Sequence, residues 1–216
     1  MAAKFWFIRH GESISNANLP TTHPAESQLT LRGELEAEHI ALAFSEAPDL
    51  IVVSPYARAR QTAVPTINRF PHIPVEEWPV YEFTYLHPER YNGTTGSERG
   101  PHARGYWERC DPYEQEMAGG ESFADLWQRV IDLRERLRER DVGFTAVFSH
   151  GLFLRAFLYL LLTGQEEVTP DLMWRYKRFI EGIWLPNGAI WEVDVTDDGR
   201  ITFTGFISDH MPEVIE

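Results

Sequence analysis

Cysteine is nearly absent from this chain: Cys110 is the only one in 216 residues. One thiol cannot close an internal disulfide, so nothing here calls for an oxidising compartment. Basic residues are also short, 20 Lys and Arg against 33 Asp and Glu, for a formal net charge of −13. That balance disfavours non-specific binding to DNA or RNA, whose phosphate backbones need a basic footprint, and docking on anionic lipid. A small anionic ligand stays open, because charges are screened over short distances and a narrow site can be basic inside an acidic protein. Long apolar runs are missing too. The greasiest stretch, Leu152 to Leu162, spans 11 residues and contains Arg155; about 20 are needed to cross a bilayer, so it reads as a buried helix. The apolar start, Phe5-Trp6-Phe7-Ile8, is too short for a signal-peptide core. A soluble cytoplasmic protein with neither nucleic-acid nor membrane partners is expected. Nothing in the sequence sets its oligomeric state.

What is present argues for a folded globular unit. Hydrophobic residues make up 43% and aromatics 13%, which excludes a disordered chain. At roughly 100–200 residues per domain, one domain over 1–216 with an insertion is the simplest organisation. Phe5–Ile8, Leu50–Val53 and Phe144–Phe148 read as fully buried strands, and Val75–Tyr81 as a further strand weakened by Pro79. Leu31–Ala47 has helical spacing, with Leu35, Ile40, Leu42 and Phe44 as expected core positions. Ala57–Phe70 reads as a helix that Pro65 kinks or divides. A long helix runs from Glu121 to near Arg140, its apolar face marked by Phe123, Leu126, Trp127, Val130, Leu133 and Leu137. Ala189–Val195 and Ile201–Phe206 flank Asp197-Asp198-Gly199, a hairpin signal. Strands alternating with helices predict an α/β three-layer sandwich, a mostly parallel sheet with helices on both faces. Residues 83–120 differ in texture, rich in Gly, Pro, His and Arg without a clear period. They are expected to form an inserted lid subdomain, since a structureless loop of that length is uncommon in a compact domain.

Two strands end alike, Ile8-Arg9-His10-Gly11 and Phe148-Ser149-His150-Gly151. Ligands of open α/β sheets sit beyond the carboxyl ends of strands. If these strands are neighbours, His10 and His150 share one crevice, and Gly11 and Gly151 allow close backbone approach. A third strand end, Ser54-Pro55-Tyr56-Ala57-Arg58, delivers Arg58 at a helix start, where its forked donors join the positive end of the helix dipole. Arg9, His10, Arg58 and His150 together would make a dense cationic pocket suited to a phosphoryl group. Arg60 reads as a solvated helix charge. The eight histidines are scattered and show no metal-ligand spacing, so no metal and no cofactor is expected. Cys110 does not fit a cysteine-phosphatase loop, because Glu116 stands six residues on where Arg would be needed.

Arg9-His10-Gly11-Glu12-Ser13 with Asn16, Leu29-Thr30 with Gly33, Ser54-Pro55 with Arg58-Ala59 and Gln61-Thr62, and Ser149-His150-Gly151 together resemble the histidine phosphatase superfamily, with its phosphoglycerate mutase-like fold. The resemblance implies that His10 attacks phosphorus through a neutral ring nitrogen to form a phosphohistidine, which water then hydrolyses. It implies that Arg9, Arg58 and His150 hold the phosphoryl oxygens, with Asn16 as a neutral donor and Gly151 beside them. It also implies a proton donor shortly after the third strand. Glu82, among Tyr81, Phe83, Tyr85 and Leu86, suits that role, because apolar surroundings favour a protonated carboxyl; Glu76, Glu77 and Glu89 lie in more polar stretches. A phosphomonoester hydrolase acting on a small phosphorylated metabolite is the reading favoured here. Its rivals are a cofactor-dependent phosphoglycerate mutase and a non-catalytic phospho-ligand binder on the same fold. Arg155 is expected to support the site or to cap a buried carboxylate. His87, Arg90, Arg99, His102 and Arg104 lie in the insert that should roof the pocket.

Overall fold

The computed structural model describes residues 3–117, 119–139, 143–207 and 209–211. In chain order these form β1 (Ala3–Arg9), α1 (Leu31–Ala43), β2 (Leu50–Val53), α2 (Ala57–Arg69), β3 (Val75–Glu77), α3 (Gly96–Arg109), α4 (Phe123–Arg138), β4 (Gly143–Ser149), α5 (Gly151–Thr163), α6 (Pro170–Gly182), β5 (Ile190–Val195) and β6 (Ile201–Ile207). The strands make one sheet in the order β3-β2-β4-β1-β5-β6. β3, β2, β4 and β1 are parallel; β5 and β6 are antiparallel additions at one side. The architecture is the expected α/β sandwich with helices on both faces.

The period of two explains why β1 reads as an uninterrupted apolar run. Phe5 and Phe7 enter a core shared with α4, α5 and α6. Trp6 and Ile8 enter the opposite core, with Ile40, Phe44 and Ala63 from the α1–α2 side. A strand covered on both faces has no polar side to show. Each of Phe5, Phe7 and Ile8 is fully buried, a transfer term of about 1.5–3 kcal/mol per side chain before entropy is counted.

Several elements depart from the expectations above. Ile40 and Phe44 are buried, but Leu35 and Leu42 are 62% and 72% exposed. The buried face of α1 is instead Gly33, Glu36, Ala37, Ile40 and Ala41. Small residues one turn apart let α1 approach its neighbours closely, and that face excludes the two leucines. α1 ends at Ala43, with Phe44 as its C-cap, short of Ala47. β3 stops at Glu77, before Pro79, which cannot donate to a ladder. Pro65 lies inside α2 without ending it. The expected end of the long helix at Arg140 lies outside the described residues. α6 was not foreseen, although Thr169 caps Leu172 N, Pro170 follows at the first helical position, and Leu172, Met173 and Tyr176 are its buried stripe. Among the described residues of 83–120 there is one helix, α3, opened by a reciprocal capping box between Thr95 and Glu98, a signal that marks a helix start even where no apolar period does. The β5–β6 hairpin is as expected, with Gly199 at φ +76°.

Candidate active site

β1 and β4 are paired to their ends, Arg9 opposite Ser149, and His10 N donates to Ser149 O at 3.0 Å. His10 and His150 therefore leave neighbouring strands side by side, with ring centroids 5.0 Å apart. Both imidazoles are covered, at 2% and 0% exposure.

The tautomer of His10 follows from its partners. Gly11 O can only accept, so Nδ1 donates to it at 2.7 Å. Arg58 Nε can only donate, so the ring's Nε2 accepts from it at 3.0 Å. These two bonds put the proton on Nδ1 and a lone pair on Nε2. Burial holds the ring's pKa well below the usual histidine value, and the charges of Arg58 and Arg9 act in the same direction. His10 is thus a neutral imidazole at physiological pH. His150 is held neutral likewise, by burial first and Arg58 second. Its Nε2 lies 2.7 Å from Ser54 Oγ, and its Nδ1 is buried without a protein partner.

The two arginines bracket this pair. Arg58 is buried and also donates from a terminal nitrogen to Pro24 O at 2.6 Å. Burial lowers its pKa, opposed by the charge of Glu82. Arg9 donates to Leu185 O, while its Nε is buried and unpartnered. Burial pushes Arg9 down to about 10, so it stays charged at neutral pH. Gly151 starts α5 against that guanidinium; a Cβ there would stand 3.2 Å from Arg9 Nε.

The loop after β1 is packed without room for side chains. A Cβ on Gly11 would meet the Gly33 carbonyl oxygen at 2.4 Å, and one on Gly33 would meet the Glu12 carbonyl oxygen at 2.0 Å. Thr62 Oγ1 accepts from Gly11 N at 3.0 Å, and buried Glu36 accepts from Glu12 N at 2.6 Å. Asn16 is exposed at the rim, and its Oδ1 accepts from Ser13 N, Ser13 Oγ and Asn187 Nδ2. Thr62 and Ser54 were noted only as parts of motifs, and Asn187 was missed; Pro186-Asn187-Gly188 was readable as a turn signal.

Glu82 reaches the site differently from the expectation. It does not sit in a purely apolar sleeve. Its carboxylate caps α5, accepting from Leu152 N at 3.0 Å and Phe153 N at 3.2 Å, and from Phe83 N at 3.0 Å. The segment that carries it has no regular structure and is clamped by side chains. Arg129 donates to Pro79 O and Tyr81 O, and Glu121 accepts from Arg129 and from Thr84 N. That Arg129–Glu121 pair is largely shielded from solvent, each side chain 10% exposed, and is not legible in the sequence.

A cleft of about 240 Å³ opens beside these residues, lined by Arg58 and Glu82 and, from the insert, by Tyr85, His87, Tyr91 and Arg99. The histidine rings do not line it; Arg58, which donates to His10 Nε2, does. Of the other basic insert residues, Arg90 and His102 line a separate cavity of about 350 Å³, and Arg104 is exposed. Among the described residues Arg155 caps no carboxylate: it donates to Gly151 O at 2.9 Å and to Ile180 O at 2.8 Å, tying α5 to α6. Cys110 caps α3 in a left-handed conformation and donates to Pro170 O. Glu76 and Glu77 are exposed on β3, and Glu89 is exposed in the insert. Among the described residues no group of three or more His, Cys, Asp or Glu could hold a metal ion, and no helix is long and apolar enough to cross a membrane.

The chain is similar to known proteins in sequence and in fold. A 2,3-bisphosphoglycerate-dependent phosphoglycerate mutase of Gloeothece citriformis (strain PCC 7424) is 27% identical over 209 residues, covering 79% of this chain and 89% of that protein. Among solved structures, phosphoserine phosphatase of Entamoeba histolytica superposes with a TM-score of 0.71 at 21% identity, covering 97% of this chain and 100% of the other. The α-ribazole phosphatase of Shigella flexneri superposes with a TM-score of 0.68 at 22% identity, covering 95% and 96%. The sequence model of the histidine phosphatase superfamily (branch 1) matches residues 5–199, and the chain belongs to that superfamily.

Proposed function

We propose that this protein is a phosphomonoester hydrolase that acts on a small phosphorylated metabolite through a phosphohistidine at His10. The observation that carries the reading is the state of that ring: neutral, its Nδ1–H tied to Gly11 O and its Nε2 lone pair facing Arg58. A nucleophilic imidazole needs this form. The incoming phosphoryl group enters between Arg58 and His10 and takes over the Arg58 Nε–H. Arg9 Nε and His150 Nδ1, both buried without protein partners, supply further donors, Asn16 a neutral one, and the α5 start at Gly151 a favourable dipole.

In the first step Nε2 bonds to phosphorus and the ester P–O bond breaks, its oxygen taking a proton from the Glu82 carboxyl. The imidazolium so formed keeps its Nδ1–H on Gly11 O. In the second step water attacks phosphorus, Glu82 takes the water's proton, and the P–N bond breaks to return neutral His10 and inorganic phosphate. Residues 83–120 act as the lid, and the leaving group occupies the cleft beneath Tyr85, Tyr91 and Arg99.

A second reading is favoured by the mutase relative: the phosphoryl group on His10 would pass to a second acceptor instead of water. Rapid-quench labelling tests both. Labelled phosphomonoester should leave acid-labile, base-stable phosphate on His10, and its release should need only water. Release only on adding a phosphoglycerate would favour the mutase. Label on another residue would refute the role of His10. Turnover should survive excess EDTA; a large loss restored by magnesium or zinc would contradict the mechanism.

A further inference from the structure

We infer that Asn187 is a positioning residue whose one side-chain NH2 sets both the His10 loop and the orientation of Asn16. This rests on the reading of His10 as nucleophile. Asn187 lies in the turn between α6 and β5, where Ala189 N donates to Pro186 O at 3.3 Å and Gly188 takes φ +73°. Gly188 N points at the Arg9 and His10 carbonyls, at 3.2 and 3.3 Å. Asn187 Nδ2 lies 3.0 Å from His10 O and 3.1 Å from Asn16 Oδ1.

Neither amide is free to turn over. His10 O can only accept, so the Asn187 atom facing it is the nitrogen. Ser13 N can only donate, and it approaches Asn16 at 3.2 Å, so the Asn16 atom there is the oxygen. Backbone groups at both ends thus force the bond between the two asparagines to run from 187 to 16.

Two consequences meet at the phosphoryl site. The peptide joining His10 to Gly11 is held from both sides, its C=O by Asn187 and Gly188 and its N–H by Thr62 Oγ1 at 3.0 Å. The next carbonyl, that of Gly11, receives His10 Nδ1–H and so selects the nucleophilic tautomer. Asn187 fixes the plane on which that selection depends. With Asn16 Oδ1 occupied by Ser13 and Asn187, the Asn16 NH2 is the end presented to a ligand oxygen, and it is a donor.

The test uses the full chain with 15N-labelled histidine. His10 ring spectra report the tautomer, inhibition by inorganic phosphate reports binding, and quenched p-nitrophenyl phosphate reports the phosphorylation rate. In Asn187→Ala the rate should fall about 10–100-fold, the usual worth of an orienting partner. His10 should lose its pure Nδ1–H signature while His150 keeps its signals. Asn187→Asp should be worse, because a carboxylate donates to neither oxygen and draws the Asn16 NH2 toward itself. Combined with Asn16→Ala, the Asn187→Ala loss in phosphate affinity should be less than additive. If Asn187→Ala does not fold, Asn187→Ser is read by the same spectra. A folded variant with an unchanged His10 tautomer, and with rate and phosphate inhibition within about twofold of wild type, overturns the inference. A wild-type protein that cleaves no phosphomonoester would sink the hydrolase reading alone, since the spectra need no turnover.

Discussion

Glu82 lines the cleft, and His10 lies behind Arg58, which lines it too, yet the two are held by different kinds of support. His10 hangs from the end of a central strand, and its position follows from the register of β1 against β4 and from the backbone of its own loop. Glu82 rides on an irregular segment, fixed by the first N–H groups of α5 and by the Arg129–Glu121 clamp. Sheet register is set by two buried cores, because a one-residue slip would turn every apolar side chain to the wrong face. A side-chain clamp has no such redundancy. His10 is therefore placed by the fold as a whole, and Glu82 by a few contacts that a local change can move.

The largest effect expected from that contrast is at His10. His10→Ala should abolish labelling and lower turnover by on the order of 10⁴–10⁶-fold, as removal of a nucleophile does elsewhere. Measurable turnover within about tenfold of wild type would break the comparison at its stronger side. Next comes Glu82→Gln, which keeps the size but has no proton to give. Phosphorylation by an alkyl phosphate should slow by about 10²–10⁴-fold, whereas p-nitrophenyl phosphate, whose leaving group is a weak base, should lose far less. Equal losses on both substrates would remove the acid role. Arg58→Ala should hurt both substrates alike, since it serves the phosphoryl group they share.

Arg99 and Arg90 sharpen the comparison inside the insert. Arg99 lines the cleft and donates to Thr21 Oγ1 and Thr94 O. Arg90 pairs with Glu116 over the separate cavity. Arg99→Ala should raise KM by about tenfold, the worth of roughly 1.4 kcal/mol of lost binding, with kcat little changed. Arg90→Ala should leave both within experimental scatter, as exposed ion pairs contribute about 0–1 kcal/mol. Identical KM values for the two variants would mean that the insert does not read the leaving group.

A separate effect is on stability against pH. Both histidines have folded pKa values below the unfolded value, through burial first and Arg58 second. Below about pH 6.5 the unfolded chain binds protons that the folded chain does not, so stability is full above that pH and falls as pH drops toward the folded values. Each histidine adds a slope of about 1.4 kcal/mol per pH unit in that window. Urea titrations at pH 7 and pH 5 should show this loss, and His10→Gln should reduce it. An unchanged slope would mean that His10 does not stay neutral in the fold.

Strand cores, helix α4, the hairpin turn and the paired His-Gly strand ends were all readable in the sequence, because each rests on local periodicity or local turn chemistry. Glu82 was readable only as a position. Its capping of α5, 70 residues away in sequence, could not be seen, nor could the strap that brings Asn187 to His10 across 177 residues. The leucines of α1 misled for a related reason: hydrophobicity names residues able to be buried, but the close approach permitted by Gly33, Ala37 and Ala41 decided which face was. By itself the sequence determined the layer architecture and the chemical kit of the site, since those follow from side-chain type and spacing. Only the tertiary structure decided which nitrogen of His10 carries the proton, which arginine of residues 83–120 reaches the cleft and what holds Glu82, because each depends on hydrogen-bond partners that chain folding brings together from distant segments.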